Sequence, residues 1–331
     1  MLSYQILSMT EPIDIVFIHG LADITKQWRR ASFFLEEHGF AVHFFDYPTL
    51  SNELDIPAVV SRLQKLIHER MGSAPYQILA HSQGGLIAEW FDLFVGDPRL
   101  KRVVTIGTPY QGNSLPLFIP PGALKKLPVS RKQIEDLSYM SPVLCSILRK
   151  RIEKNSSPTH FVSLISHSIN VLNMESDGVV SVCSGNRNAD YYISDGNEIT
   201  SINSYGNTAS AFVKTSHLPV HIVHKLLHDR GTNPFAELLI SALNGQPLKR
   251  YGHFSPIQSG LIIPTKLENR LRLSTGVKKI ISRPTLDGKY MVSYFALVDA
   301  NQNIGFEGRT VALTPAKFTY IFEPAFFNTG T

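Results

Sequence analysis

Cysteine is scarce in this chain: Cys145 and Cys183 are the only two in 331 residues. Two thiols make no disulfide framework, so a core must hold the fold and a reducing compartment is expected. No apolar run approaches the roughly 18 residues of a membrane-spanning helix. The opening "MLSYQILSMTEPIDIV" lacks a basic head, a long apolar stretch and a small-residue cleavage site. No secretory signal is read there, so a cytoplasmic location is the default expectation, with leaderless export left open. Repeats and low-complexity segments are absent too. No basic helix or aromatic stacking motif accompanies the charge, so nucleic acid is not an expected partner. What remains is a composition of 43% hydrophobic and 18% charged residues, that of a globular chain with a sizeable core.

The net charge of +5 is unevenly spread. From residue 247 onward eleven Lys and Arg stand against five Asp and Glu, which leaves residues 1–246 slightly negative. A solvated basic face is one reading of that surplus. Attraction to an anionic phospholipid surface is the other.

The first third alternates strand and helix signals. "IDIVFIHG", "FAVHFFDYP", "YQILAHS" and "KRVVTIGTP" are short apolar runs closed by glycine, proline or a small polar residue. Between them "KQWRRASFFLEEHG", "IPAVVSRLQKLIHERMG" and "GGLIAEWFDLFVG" carry helical spacing and end at glycine. Such alternation predicts a doubly wound, mostly parallel sheet with helices on both faces. From about 112 to 158 it breaks. A proline cluster, "LPLFIPPGALKKLP", precedes apolar residues at helical spacing from Ile134 to Leu148, and this is read as a helical cap insertion. A strand resumes at "HFVSLISHS", then a strand "AFVKTSH" and helices "LPVHIVHKLLHD" and "PFAELLISALNG". After 247 helix signals vanish, and runs such as "KYMVSYFALVD" and "KFTYIFE" predict a small antiparallel β domain. The expected division is therefore 1–246 catalytic and 247–331 accessory.

Ser82, in "LAHSQGG", lies at the end of one predicted parallel strand and just before a helix, where open α/β sheets gather their sites. A sharp strand-to-helix turn that exposes a nucleophile needs small neighbours; here they are Ala80, Gly84 and Gly85, with Ala80 where glycine is usual. A serine hydroxyl also needs a base, an orienting acid and an oxyanion site. Of the later histidines, His217 sits where a strand-like run meets a helix. His221, His224 and His228 continue from it at helical spacing, but no carboxylate or cysteine completes a metal set, so no metal and no cofactor is expected. The acid falls among Asp177, Asp190 and Asp195. Asp177 is favoured because it follows a core strand closely; Asp195 sits in a similar "SDG" and stays an alternative. Oxyanion donors would be the N–H groups of Gln83 and of Leu21, after the turn His19–Gly20.

These motifs, "FIHGL", "AHSQGG", "TIGTPYQG", "SDGVVS" and "SHLPV", resemble the α/β-hydrolase superfamily, and within it bacterial lipases and related lipid esterases. The resemblance covers about residues 12–230, with Tyr110 where the third motif usually has histidine. It implies Ser82 as nucleophile, Asp177 as acid, His217 as base, Leu21 and Gln83 as oxyanion donors, and a lipid or other ester as substrate. An acyltransferase, thioesterase or amidase with the same triad is the alternative, and a non-catalytic binding protein a remote one. The basic residues after 247 add the expectation of a peripheral contact with an anionic membrane. Nothing in the sequence bears on the oligomeric state.

Overall fold

Of the six strands of the first sheet, the four inner ones are buried almost along their whole length, which is why they read as continuous apolar runs, while the two edge strands are only partly buried. The six are β1 (Ile13–Ile18), β2 (Phe40–Phe45), β3 (Tyr76–His81), β4 (Leu100–Ile106), β5 (His160–His167) and β10 (Thr208–Lys214). Their order is β10-β5-β4-β3-β1-β2, and every neighbouring pair is parallel. The computed structural model describes residues 11–50, 54–113, 129–154, 157–171, 173–202, 208–228, 234–249, 254–300 and 302–328.

Helices cover both faces of the sheet, as expected. On one face α2 (Ile56–Arg70), α3 (Gln83–Trp90) and α5 (Pro142–Glu153) share a core with Val16, Ile78 and Val103. On the other, α1 (Arg29–Glu36), α7 (Pro219–His228) and α8 (Pro234–Leu243) pack on Ile15, Leu79 and Val104. The α2 boundaries follow from capping. Asp55 accepts a hydrogen bond from Ala58 N at 2.9 Å, Pro57 sits in the first turn, and the chain leaves at Gly72 with φ of 51°. The strand order turns back between β1 and β3, and that reversal opens a crevice at their carboxyl ends.

The stretch "LPLFIPPGALKKLP", with Leu115, Leu117, Phe118 and Ile119, lies outside the described residues. The rest of the insertion holds α4 (Arg131–Asp136) and α5, capped by Ser130 and Ser141. Leu144 and Ile147 face the core of the first sheet; Leu148, the next residue, faces a second β layer. Asp136 ties α4 to the start of α2 by accepting from Ile56 N at 2.9 Å. Burial, first, and the nearby Asp55 carboxylate raise its pKa from the ordinary 3.8 to about 6. The penalty for keeping it charged in the native state is up to about 3 kcal/mol. A folded-state pKa above the unfolded one means stability present at low pH and lost as pH rises through about 6. Asp136→Asn, which keeps an acceptor for Ile56, is expected to melt a few degrees above wild type at pH 7.5. The gain should vanish by about pH 4. A melting difference that does not change across that range would contradict the assignment.

The second sheet has the order β13-β14-β11-β17-β8-β9. It joins β11 (Gln258–Pro264), β13 (Val277–Pro284), β14 (Tyr290–Leu297) and β17 (Phe318–Phe322) to β8 (Ala189–Ser194) and β9 (Ile199–Ile202). The region after 247 is β-rich, as expected, but its pairing is mixed rather than antiparallel: β17 runs parallel to both β11 and β8. A three-stranded antiparallel sheet of β12 (Leu271–Leu273), β15 (Gln302–Phe306) and β16 (Arg309–Leu313) packs against it.

Candidate active site

Ser82 has φ of 54° and ψ of −124°, a left-handed conformation that only a forced turn gives a residue with a side chain. The neighbours hold it there. Its N–H donates to Ile106 O at 3.0 Å, and its carbonyl accepts from Gly85 N at 3.0 Å and Thr108 Oγ1 at 2.9 Å. Gly84 lets α3 start directly under β1: a Cβ there would stand 2.7 Å from His19 O. Ala80, at the position where glycine is usual, is fully buried and fits without a positive φ.

Ser82 Oγ lies 2.9 Å from His217 Nε2, and His217 Nδ1 lies 2.9 Å from Asp177 Oδ2. The three side chains thus form one hydrogen-bonded chain, although they are supplied by β3, by the loop after β10 and by the loop after β7 (Met174–Ser176). β6 (Ile169–Val171) and β7 form a small antiparallel hairpin between β5 and Asp177. The other Asp177 oxygen, Oδ1, accepts from Val179 N at 3.0 Å and Val180 N at 2.8 Å, which fixes the carboxylate plane. His217 N donates to Asp177 O at 3.0 Å, so the two residues are also locked together through the backbone. Gly107, at the end of β4, has φ of 58°, and a Cβ on it would lie 3.0 Å from Asp177 Oδ2 and 3.3 Å from His217 Nδ1. That explains the glycine of "TIGTPYQG" by contact rather than by motif.

The alternative acids lie elsewhere. Asp195 is exposed, its Oδ1 accepting from Asn197 N and Glu198 N in a turn, and those backbone donors hold its carboxyl below the usual range. Asp190 accepts from Thr314 Oγ1 and Lys317 in the second sheet.

Gly20 packs against the serine; a Cβ there would stand 2.8 Å from Ser82 Cβ. Leu21 is the next residue, and Gln83 is the first of α3, so its N–H has no intrahelical acceptor. Tyr47 OH reaches His19 O at 2.9 Å and Gln83 Oε1 at 3.2 Å, bracing this wall. The Tyr47 hydroxyl is raised well above its ordinary pKa, first by burial and then by Asp23, so it stays a donor.

Two residues behind the site are missed by sequence reasoning. His81 Nε2 donates to the carbonyl of His217 at 3.0 Å, and its ring stands 4.9 Å from the His217 ring. Asp23 Oδ2 is 3.6 Å from His81 Nδ1 and accepts from Trp28 Nε1 at 2.7 Å. Burial pushes the Asp23 carboxyl up, but the nearby His81 ring and the hydrogen bond from the indole more than offset it, so it ends below the usual range. The signal was present in "HGLAD" and "LAHS", but only the fold brings them together. Similarly, Glu89 on α3 is fully buried between two buried guanidiniums. Arg151 Nε and Nη2 meet its two oxygens at 2.9 and 2.8 Å, and Arg187 Nε meets Oε1 at 2.9 Å. Burial alone would raise this carboxyl; the two cations bring it below its ordinary value. The cluster fastens the helix behind Ser82 to α5 and to the segment before β8.

No family model matches the chain, and no curated protein matches it. Among solved structures it is similar to phospholipase PlaB from Legionella pneumophila. The complex of that protein with thio-NAD has a TM-score of 0.72 at 12% identity, over 94% of this chain and 93% of that one. A second PlaB structure gives 0.73 at 12% identity, over 95% and 93%. The propeptide form of the lipase BlEst2 from Bacillus licheniformis gives 0.50 at 15% identity, over 94% of this chain and 73% of that one. At such identities the shared property is the fold: the chain has the α/β-hydrolase architecture, followed by a β-rich region, and the structures it is similar to are a phospholipase and a lipase.

Proposed function

We propose that this chain is a serine hydrolase that cleaves lipid carboxylic esters through an acyl-enzyme on Ser82. The observation that carries the reading is the Ser82–His217–Asp177 chain, 2.9 Å at each link, on a positive-φ turn at the sheet's reversal point. Ser82 Oγ attacks the ester carbonyl carbon while its proton passes to His217 Nε2. The oxyanion that forms is met by the N–H groups of Gln83 and Leu21. His217 then gives the proton to the departing alkoxide, leaving the acyl group on Oγ. Water, deprotonated by the same Nε2, attacks the acyl carbon and releases the acid and the free serine. Asp177 accepts from Nδ1–H throughout, holding the tautomer and stabilising the imidazolium. His81 and Asp23 act through His217 as positioning residues.

The lipid assignment draws its support from the likeness to a phospholipase over nearly the whole of both chains. It is tested by hydrolysis of p-nitrophenyl esters of increasing acyl length together with fatty-acid release from phospholipid vesicles. Turnover that rises toward long chains, with fatty-acid release, is the expected result. Activity confined to acetyl and butyryl esters, with no release, would overturn the substrate class and leave the chemistry.

A further inference from the structure

The surface beside the site has an unusual composition. The turn at Thr25–Gln27 and α1 pack against α7, and the inner sides of both helices share one core on the same face of the sheet. Their outer sides carry large apolar groups in water: Ile24 is 53% exposed, Phe33 66%, Leu218 53% and Val220 60%. Leu218 directly follows His217, and Ile24 follows the Leu21 wall, so this surface borders the site. Trp28, between the turn and α1, stands 5.0 Å from the His81 ring. Residues 24–35 and 208–228 contain Lys26, Arg29, Arg30, Lys214 and Lys225 and no Asp or Glu. Asp46, which accepts from Thr25, and Glu36 and Glu37 at the end of α1 bound the patch.

Most of the positive charge after residue 247 is of another kind, although Arg272, Lys278 and Arg283 are exposed and enter no ion pair among the described residues. Lys266, Arg270, Lys279, Lys289, Arg309 and Lys317 are all engaged by carboxylates. Lys26, Arg29 and Arg30 are exposed and enter no ion pair among the described residues. A cluster of exposed apolar groups at a protein surface marks an interaction site. When such groups stand among unpaired cations, with carboxylates only at the edge, the complementary partner is an anionic lipid surface.

We propose that the outer face of α1 and α7, with the turn before α1, docks on anionic lipid bilayers and sets the mouth of the Ser82 site against the membrane. Ile24, Phe33, Leu218 and Val220 enter the headgroup boundary while Lys26, Arg29 and Arg30 face lipid phosphates. This rests on the lipid-ester reading for its purpose, but not for its measurement. Vesicle co-sedimentation is done with Ser82→Ala protein, which leaves the lipid intact. Vesicles are phosphatidylcholine with or without phosphatidylglycerol, at low and high salt. Binding is expected only with phosphatidylglycerol and should weaken with salt. The triple variant Lys26→Gln, Arg29→Gln, Arg30→Gln should lose on the order of 100-fold in partitioning, since each charge near the surface is worth roughly fivefold. Val220→Asp should weaken binding as well, with melting temperatures checking that both variants fold. Three results would overturn the proposal: no binding to anionic vesicles, binding that neither variant changes, or loss instead on replacing Lys278 and Arg283 in the C-terminal region. If the hydrolase reading fails, the wild-type protein will not turn over a soluble ester, whatever the vesicles do.

Discussion

Ser82→Ala is expected to erase labelling by a fluorophosphonate probe and to lower kcat/KM on any substrate ester by roughly 10⁴- to 10⁶-fold. In the proposed reaction the hydroxyl oxygen is the attacking atom, and within the hydrogen-bonded chain only Oγ faces His217 Nε2. What survives is binding and the oxyanion donors, which depend on the backbone of Leu21 and Gln83 and not on the side chain removed. The fold should be kept. Alanine meets the same positive φ that serine already tolerates, and the N–H and C=O bonds to Ile106, Gly85 and Thr108 remain. His217→Ala should cost about as much, and the double variant no more than either, because the groups act as a unit. Labelling that persists in purified Ser82→Ala protein at the wild-type rate would remove Ser82 from the mechanism.

The parallel sheet and its helices were legible because their determinants are local. Short apolar runs closed by Gly or Pro, alternating with amphipathic segments, carry the parallel sheet in their spacing, and the two glycines after Ser82 are demanded by contacts one strand away. Candidate acids could be ranked from strand ends, and it is Asp177, not Asp195, that lies 2.9 Å from His217. What could not be read are partnerships over long chain separations. Nothing near "DYYIS" announces that β8 runs parallel to Phe318–Phe322. Glu89 reads as an ordinary polar residue until α3 is seen to be buried on every side, with its two arginines arriving from residues 151 and 187. His81 donates to a carbonyl 136 residues away. The charge surplus after 247 was visible as a number, but its pairing with Glu198 and Asp190 in the earlier segment was not.

Residues 1–246 expressed alone are expected to give no cooperatively melting, active protein, even though the change of texture at 247 invites that cut. β17 lies between β11 and β8, so removing it leaves β8 and β9 as a lone hairpin, which is marginal in water. The loss also uncovers Tyr139, Met140 and Leu148 of the insertion and Met174 beside the acid loop, which now pack on Tyr294, Phe318, Tyr320 and Phe322. Each large apolar side chain returned to water costs about 1.5–3 kcal/mol, and four of them approach the whole net stability of a typical domain, about 5–15 kcal/mol. The polar contacts point the same way. Gln258 accepts from Glu175 N at 2.8 Å and donates to Asn173 O at 2.7 Å, and Tyr294 OH bonds Ser181 Oγ at 2.8 Å. These residues flank Asp177, so the second sheet grips the loop that carries the acid. Gln258→Ala or Tyr294→Phe in the full chain should therefore keep the fold and lower kcat on a soluble ester by roughly tenfold with KM little changed, the signature of a displaced catalytic group. A 1–246 fragment that melts cooperatively and hydrolyses a soluble ester at the full-length rate would instead make residue 247 a folding boundary and reduce the second sheet to an appendage.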